Sequence, residues 1–159
     1  MTATQPQIDD SASCSSADTE LVLIPQDGVA RVSDAVRPFF AKLIPELRGT
    51  ATVDDLIDQA ARGELQIWLA YSPGSDDIYG IQLTTLQALP QMLVCRLIGT
   101  AGHRMLEMNV PALLAQIEEW ATYQKCGAIV CEGRSGWRRY LKGYAEVARV
   151  WHKELPNGR

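Results

Sequence analysis

The spacing of hydrophobic positions changes period along this chain, and each change predicts an element. Residues 1–19 are rich in Ser, Thr, Ala, Gln and Asp and hold almost no large apolar side chains. Such a segment cannot bury enough surface to offset its ordering entropy, so a flexible N-terminal arm is predicted, followed by one domain over residues 20–159. Leu21 to Ile24, closed by Pro25 and Gly28, reads as a short strand and turn. Ser33 then caps a helix whose Val36, Phe39, Phe40, Leu43 and Ile44 recur at helical spacing, with Pro38 near its start. A second helix opens at Thr52, carries Asp54 and Asp55 in its first turn, and ends at Gly63. Leu56, Ile57, Ala60 and Ala61 form its apolar face.

Beyond Gly63 the helical period disappears. The stretches 65–71, 78–89 and 92–98 are rich in Ile, Val, Leu, Tyr and Thr and are joined by turns short enough for hairpins, which predicts three antiparallel strands in series. A GTAG turn follows, and then a long helix capped by Asn109, with Pro111 near its first position. Its stripe is Leu113, Leu114, Ile117, Trp120 and Ala121, and Gly127 ends it. Residues 128–132 read as a short buried strand, Ser135 or Gly136 opens a last helix, and Glu146 to Lys153 reads as a closing strand. The predicted class is α/β (α+β): a single domain with a central, mostly antiparallel mixed sheet flanked by helices.

Composition narrows the chemistry. A chain of 159 residues suits one domain, and no apolar run is long enough to span a bilayer. The first residues lack the basic and apolar regions of a secretory signal, so a cytoplasmic, reducing setting is expected. Cys14, Cys95, Cys126 and Cys131 form no CxxC pair, and His103 and His152 are the only histidines, so no metal site is expected. A net charge of −4 argues against nucleic acid as the main partner. It leaves room for a local basic patch at Arg134, Arg138, Arg139 and Lys142.

The order of elements over roughly residues 20–155 resembles the GNAT superfamily of acetyl-CoA-dependent N-acetyltransferases. Arg96-Leu97-Ile98-Gly99-Thr100-Ala101 matches that family's Q/R-x-x-G-x-G/A pattern, whose backbone N–H groups and following helix hold the pyrophosphate of coenzyme A. The resemblance implies that Gly99, Thr100, Ala101 and Gly102 hold the pyrophosphate and that Arg104 pairs with a phosphate. It implies that Tyr140, one residue from the family's tyrosine position, is the acid, and that acetyl-CoA or CoA is the cofactor. On this reading Gly99→Glu abolishes coenzyme A binding and leaves the fold largely intact. Glu107, Glu118 and Glu132 are candidate bases by residue type.

A second resemblance rests on "LQIWLAY", on "IEEWA" before a Lys-Cys-Gly turn, and on "GRSGWRRYLKGY" before a segment ending in "KEL". These phrases resemble a group of GNAT-like bacteriophage proteins similar to the small internal virion protein of short-tailed phages. Gly133, Arg134, Gly136, Trp137, Leu141, Gly143 and Tyr144 carry the match. It implies a virion-associated assembly protein, made in the host bacterial cytoplasm, that docks on other virion proteins or on copies of itself. On a helix starting near Ser135, Trp137, Tyr140, Leu141 and Tyr144 face the sheet, while Arg134, Arg138 and Lys142 form an exposed row suited to an acidic partner. Assembly protein is the first expectation, and an acyl-CoA-dependent N-acetyltransferase acting on an amine is the second.

Overall fold

A computed structural model describes residues 19–74, 77–102, 109–133, 135–148 and 153. Its elements are strand β1 (Glu20–Leu23), helices α1 (Val29–Leu43) and α2 (Val53–Ala61), strands β2 (Gln66–Tyr71), β3 (Ile78–Ala88) and β4 (Leu93–Gly102), helix α3 (Val110–Tyr123) and strand β5 (Cys126–Cys131). Short 3-10 turns lie at Gln26–Gly28 and Ser135–Arg139. The strands form a single sheet in the order β1-β2-β3-β4-β5. Neighbours are antiparallel from β1 to β4, while β5 joins β4 in parallel through the α3 crossover.

Both faces of the sheet are covered, because β2 alternates between two cores. Ile67 and Leu69 pack with Val36, Phe39, Phe40 and Leu43 of α1 and with Leu56 and Ala60 of α2. Trp68 and Ala70 turn to the other face, where Leu113, Leu114, Ile117 and Ala121 of α3 meet them. Phe40 and Val36 are fully buried, each side chain contributing about 1.5–3 kcal/mol by leaving water.

The second helix starts as expected. Thr52 Oγ1 accepts from the Asp55 N–H at 3.2 Å, and Asp55 Oδ2 accepts from the Thr52 N–H at 2.7 Å, a reciprocal capping box. At its end Gly63 takes φ +77, a left-handed conformation that favours glycine, with Gln26 Oε1 3.0 Å from where a Cβ would lie.

Four expectations are corrected. Helix α1 begins at Val29, directly after the 3-10 turn that Pro25 introduces, and Ser33 is not its cap: Ser33 Oγ donates to Ala30 O at 3.1 Å, and Pro38 lies inside the helix. Helix α3 ends at Tyr123 on a turn completed by Lys125 at φ +63, so Gly127 belongs to β5. The expected last helix is one 3-10 turn, followed by a turn with Gly143 at φ +83 that a continuing helix would not permit. Residues 144–148 form no strand; residues 149–152 of the expected closing strand, and residues 1–18 of the expected arm, lie outside the described residues.

Candidate functional site

The GTAG sequence is not a turn. Gly99, Thr100, Ala101 and Gly102 are the last residues of β4 and pair with Leu83, Gln82, Ile81 and Gly80 of β3. On the other side, the β4–β5 ladder stops at Leu97↔Cys131. Residues 98–102 therefore have a strand on one side and, among the described residues, none on the other. Alternate residues of this segment turn their N–H and C=O groups toward that open edge.

A bulge sits where the edge opens. Leu97 pairs with Thr84 and Gly99 with Leu83, which leaves Ile98 as the extra residue. Ile98 packs against the α1 and α2 core. A Cβ on Gly99 would meet Leu43 Cδ1 at 3.2 Å, so position 99 faces that core too. Thr100 turns to the α3 face and lines a narrow cavity of about 30 Å³, shared with Gly80, Gln82, Val110, Leu113 and Trp137 among others. Its polar wall is internally satisfied: Gln82 Nε2 donates to Leu83 O at 2.9 Å and to Gly99 O at 3.0 Å, and Gln82 Oε1 accepts from Thr100 Oγ1.

Two further elements flank the open edge. Helix α3 begins at Asn109, whose Oδ1 accepts from the Ala112 N–H at 3.3 Å, and Pro111 occupies the first turn as expected. Val110 is buried in one cluster with Leu97, at the last rung of the β4–β5 ladder. Trp137, Tyr140 and Leu141 pack half-buried against that cluster, as does Cys131, so the aromatic face expected from the sequence is kept even though the helix is not. Tyr140 meets Trp137 edge-on at 5.9 Å, and the Arg139 guanidinium lies over its ring at 4.7 Å.

The remaining candidates separate. Tyr144 Oη donates to Glu118 Oε1 at 2.9 Å; burial, and then this carboxylate, push the phenol well above its ordinary range. Glu132 is paired with Arg96, which also donates to Gln87 Oε1 at 3.0 Å. Arg138 and Lys142 are exposed, but a five-residue 3-10 turn followed by a glycine turn does not build the expected four-residue row. Arg104, Glu107 and Arg134 lie outside the described residues. No group of three His, Cys, Asp or Glu among the described residues is placed to hold a metal ion, and no helix among them is long and apolar enough to cross a membrane.

Sequence reasoning missed Gln82 and the bulge. The available signal was a glutamine inside the apolar run "IYGIQLTTL", where a polar side chain on a covered face must have a partner.

No protein-family model matches the chain, and no curated protein matches it in sequence. Solved structures do match. An aminoglycoside acetyltransferase from an uncultured soil metagenomic sample, solved with sisomicin, aligns over 87% of this chain and 97% of its own, at 8% identity and a TM-score of 0.64. An acetyltransferase of Trypanosoma brucei covers 87% of this chain and 100% of its own, at 12% identity and TM-score 0.63. A GNAT family acetyltransferase of Staphylococcus aureus covers 87% and 99%, at 16% identity and TM-score 0.57. With its mixed five-stranded sheet, its three helices and these neighbours, the chain has the GNAT acetyltransferase fold.

Proposed function

We propose that this protein is an acyl-CoA-dependent N-acyltransferase that acts on an amine. The observation that carries the reading is the open edge of β4 from residue 98 to residue 102, set beside the start of α3. An extended ligand with amide groups, such as the pantetheine arm of coenzyme A, suits an unpaired strand edge, because the edge offers the N–H and C=O groups a further strand would use. The positive end of α3 suits a pyrophosphate. Acetyl-CoA would supply an acetyl group activated as a thioester, with coenzyme A as the leaving thiol.

The residues present fit that group. Backbone of Gly99 to Gly102 holds the arm along the edge, which replaces the phosphate-loop role that the sequence pattern suggests for them. Tyr140, packed half-buried against the cluster that holds Leu97 and Val110, would be the proton donor to the departing coenzyme A thiolate. Tyr144 is a poor donor, because its proton is already held by Glu118 and its phenol is a weaker acid than usual. The docking reading rests on the sequence resemblance carried by Gly133 to Tyr144 and on the exposed Arg138 and Lys142, and no neighbour named above is a virion protein.

Calorimetric titration with acetyl-CoA and free coenzyme A tests the reading. Saturable binding in the micromolar range is expected. A folded protein that binds neither at millimolar ligand would end the acyltransferase reading and leave an interaction module.

A further inference from the structure

Gln82 is 7% exposed in the middle of β3, and a polar side chain buried in a sheet needs a structural reason. Its amide nitrogen donates to two main-chain carbonyls at once, Leu83 O and Gly99 O, and these residues form the rung beside the bulge. Its amide oxygen accepts from Thr100 Oγ1, the next residue along β4. One side chain therefore fixes both strands where an inserted residue disturbs the ladder. The same β4 residues form the open edge, so the amide that repairs the inner side of the bulge also sets the direction of the peptide groups on its outer side. Thr100 cannot serve a ligand with its hydroxyl proton, which Gln82 already holds. Recognition on this edge falls to the main chain.

We propose that Gln82 is a positioning residue for the acyl thioester: it holds the bulged β4 backbone so that N–H groups on the open edge meet the thioester carbonyl oxygen. This inference rests on the acyltransferase reading. A thioester carbonyl only accepts hydrogen bonds, and it is the group that acetyl-CoA has and free coenzyme A lacks. Comparing the two ligands isolates the contact.

The test uses the full chain and Gln82→Met, which keeps the length of the side chain and removes its amide. Affinities for acetyl-CoA and free coenzyme A are measured by calorimetry, and the stretch of an isotope-labelled thioester carbonyl by infrared difference spectroscopy. The wild type is expected to prefer acetyl-CoA. In Gln82→Met that preference falls roughly three- to tenfold, the worth of one hydrogen bond, while affinity for free coenzyme A holds and the carbonyl band moves to higher frequency. A folded variant with unchanged preference and unchanged band overturns the proposal, as does a parallel loss of both ligands, which marks a structural role alone. If the wild type binds neither ligand, the acyltransferase reading falls and takes the proposal with it. Should Gln82→Met not fold, Thr100→Val removes the hydroxyl that orients the Gln82 amide; a smaller change in the same direction is expected, and no change is the overturning result.

Discussion

Gly99 faces Leu43 across the α1 side of the sheet, so close that a methyl group on Gly99 would lie 3.2 Å from Leu43 Cδ1 and 3.3 Å from Leu43 Cδ2. Position 99 thus faces the apolar side chains of the α1 side. Gly99→Glu would bury a carboxylate among apolar side chains at a cost of several kcal/mol, so its expected effect is loss of folded protein, measured by urea denaturation. This reverses the expectation drawn from the glycine pattern. A well-folded Gly99→Glu that has merely lost coenzyme A binding would show that the position faces the ligand after all.

Thr84 is fully buried; its hydroxyl accepts from Trp68 Nε1 at 3.0 Å and donates to Gln66 Oε1 at 3.3 Å. Thr84→Val keeps the shape and strands the indole N–H in the core, where Trp68 also packs edge-on to Trp120 at 5.2 Å. A loss of about 1–3 kcal/mol in chemical denaturation is expected, with Thr84→Ser recovering part of it. Equal stability of Thr84→Val and wild type would mean that the indole finds another acceptor.

Trp137 is half-buried on a 3-10 turn. Full truncation of a core tryptophan, as on a sheet-facing helix, costs about 3–5 kcal/mol. With part of the ring in water, Trp137→Ala should cost about 2 kcal/mol. A thermal melt that does not move would detach this turn from the α3 face.

Asp55 is held below its ordinary value of 3.8, first by the Thr52 side chain and then by the Thr52 backbone. A carboxylate lowered in the folded state stabilises fully above its unfolded value, and that contribution is lost as the pH falls through the folded one. Below about pH 4 the wild type should therefore lose stability more steeply than Thr52→Ala. Parallel acid limbs for the two proteins would remove the capping box from the account.

Burial, with a lesser effect from Cys126, pushes the Cys95 thiol up to about 12, and its side chain is fully enclosed. At neutral pH a maleimide should leave Cys95 unmodified in the native protein and label it once denaturant is added, read by mass spectrometry of the digest. Native labelling of Cys95 at the rate of the partly exposed Cys126 and Cys131 would contradict the packing around it.

What the sequence discloses is local chemistry. Thr52 and Asp55, Asn109 and Pro111, and the long apolar run through β3 declare themselves, because caps and periodicity act within a few residues. The GTAG segment misleads, because its glycines answer to distant partners: Gly99 admits Leu43, and Gly80, opposite Gly102, lets β3 lie so near β4 that a Cβ there would be 2.8 Å from Ala101 O. Ser33 misleads for a similar reason, since the start of α1 is set by a backbone turn from Pro25 with no side-chain cap. The candidate site was the least legible part. An open edge exists only where one strand outruns its neighbour, and register is a property of pairing, not of either segment alone.

The parallel ladder between β4 and β5 has a consequence for how the chain folds. β2, β3 and β4 connect through short hairpins, so their contacts close early and at little entropic cost. β5 must wait until α3 has carried the chain back across the sheet. On that ground β5 is expected to pair late in folding and to open readily, and its amides should exchange with solvent sooner than those of β3. The parallel seam that leaves the end of β4 without a second neighbour is thus also a seam expected to open before the antiparallel ladders of β3 on either side.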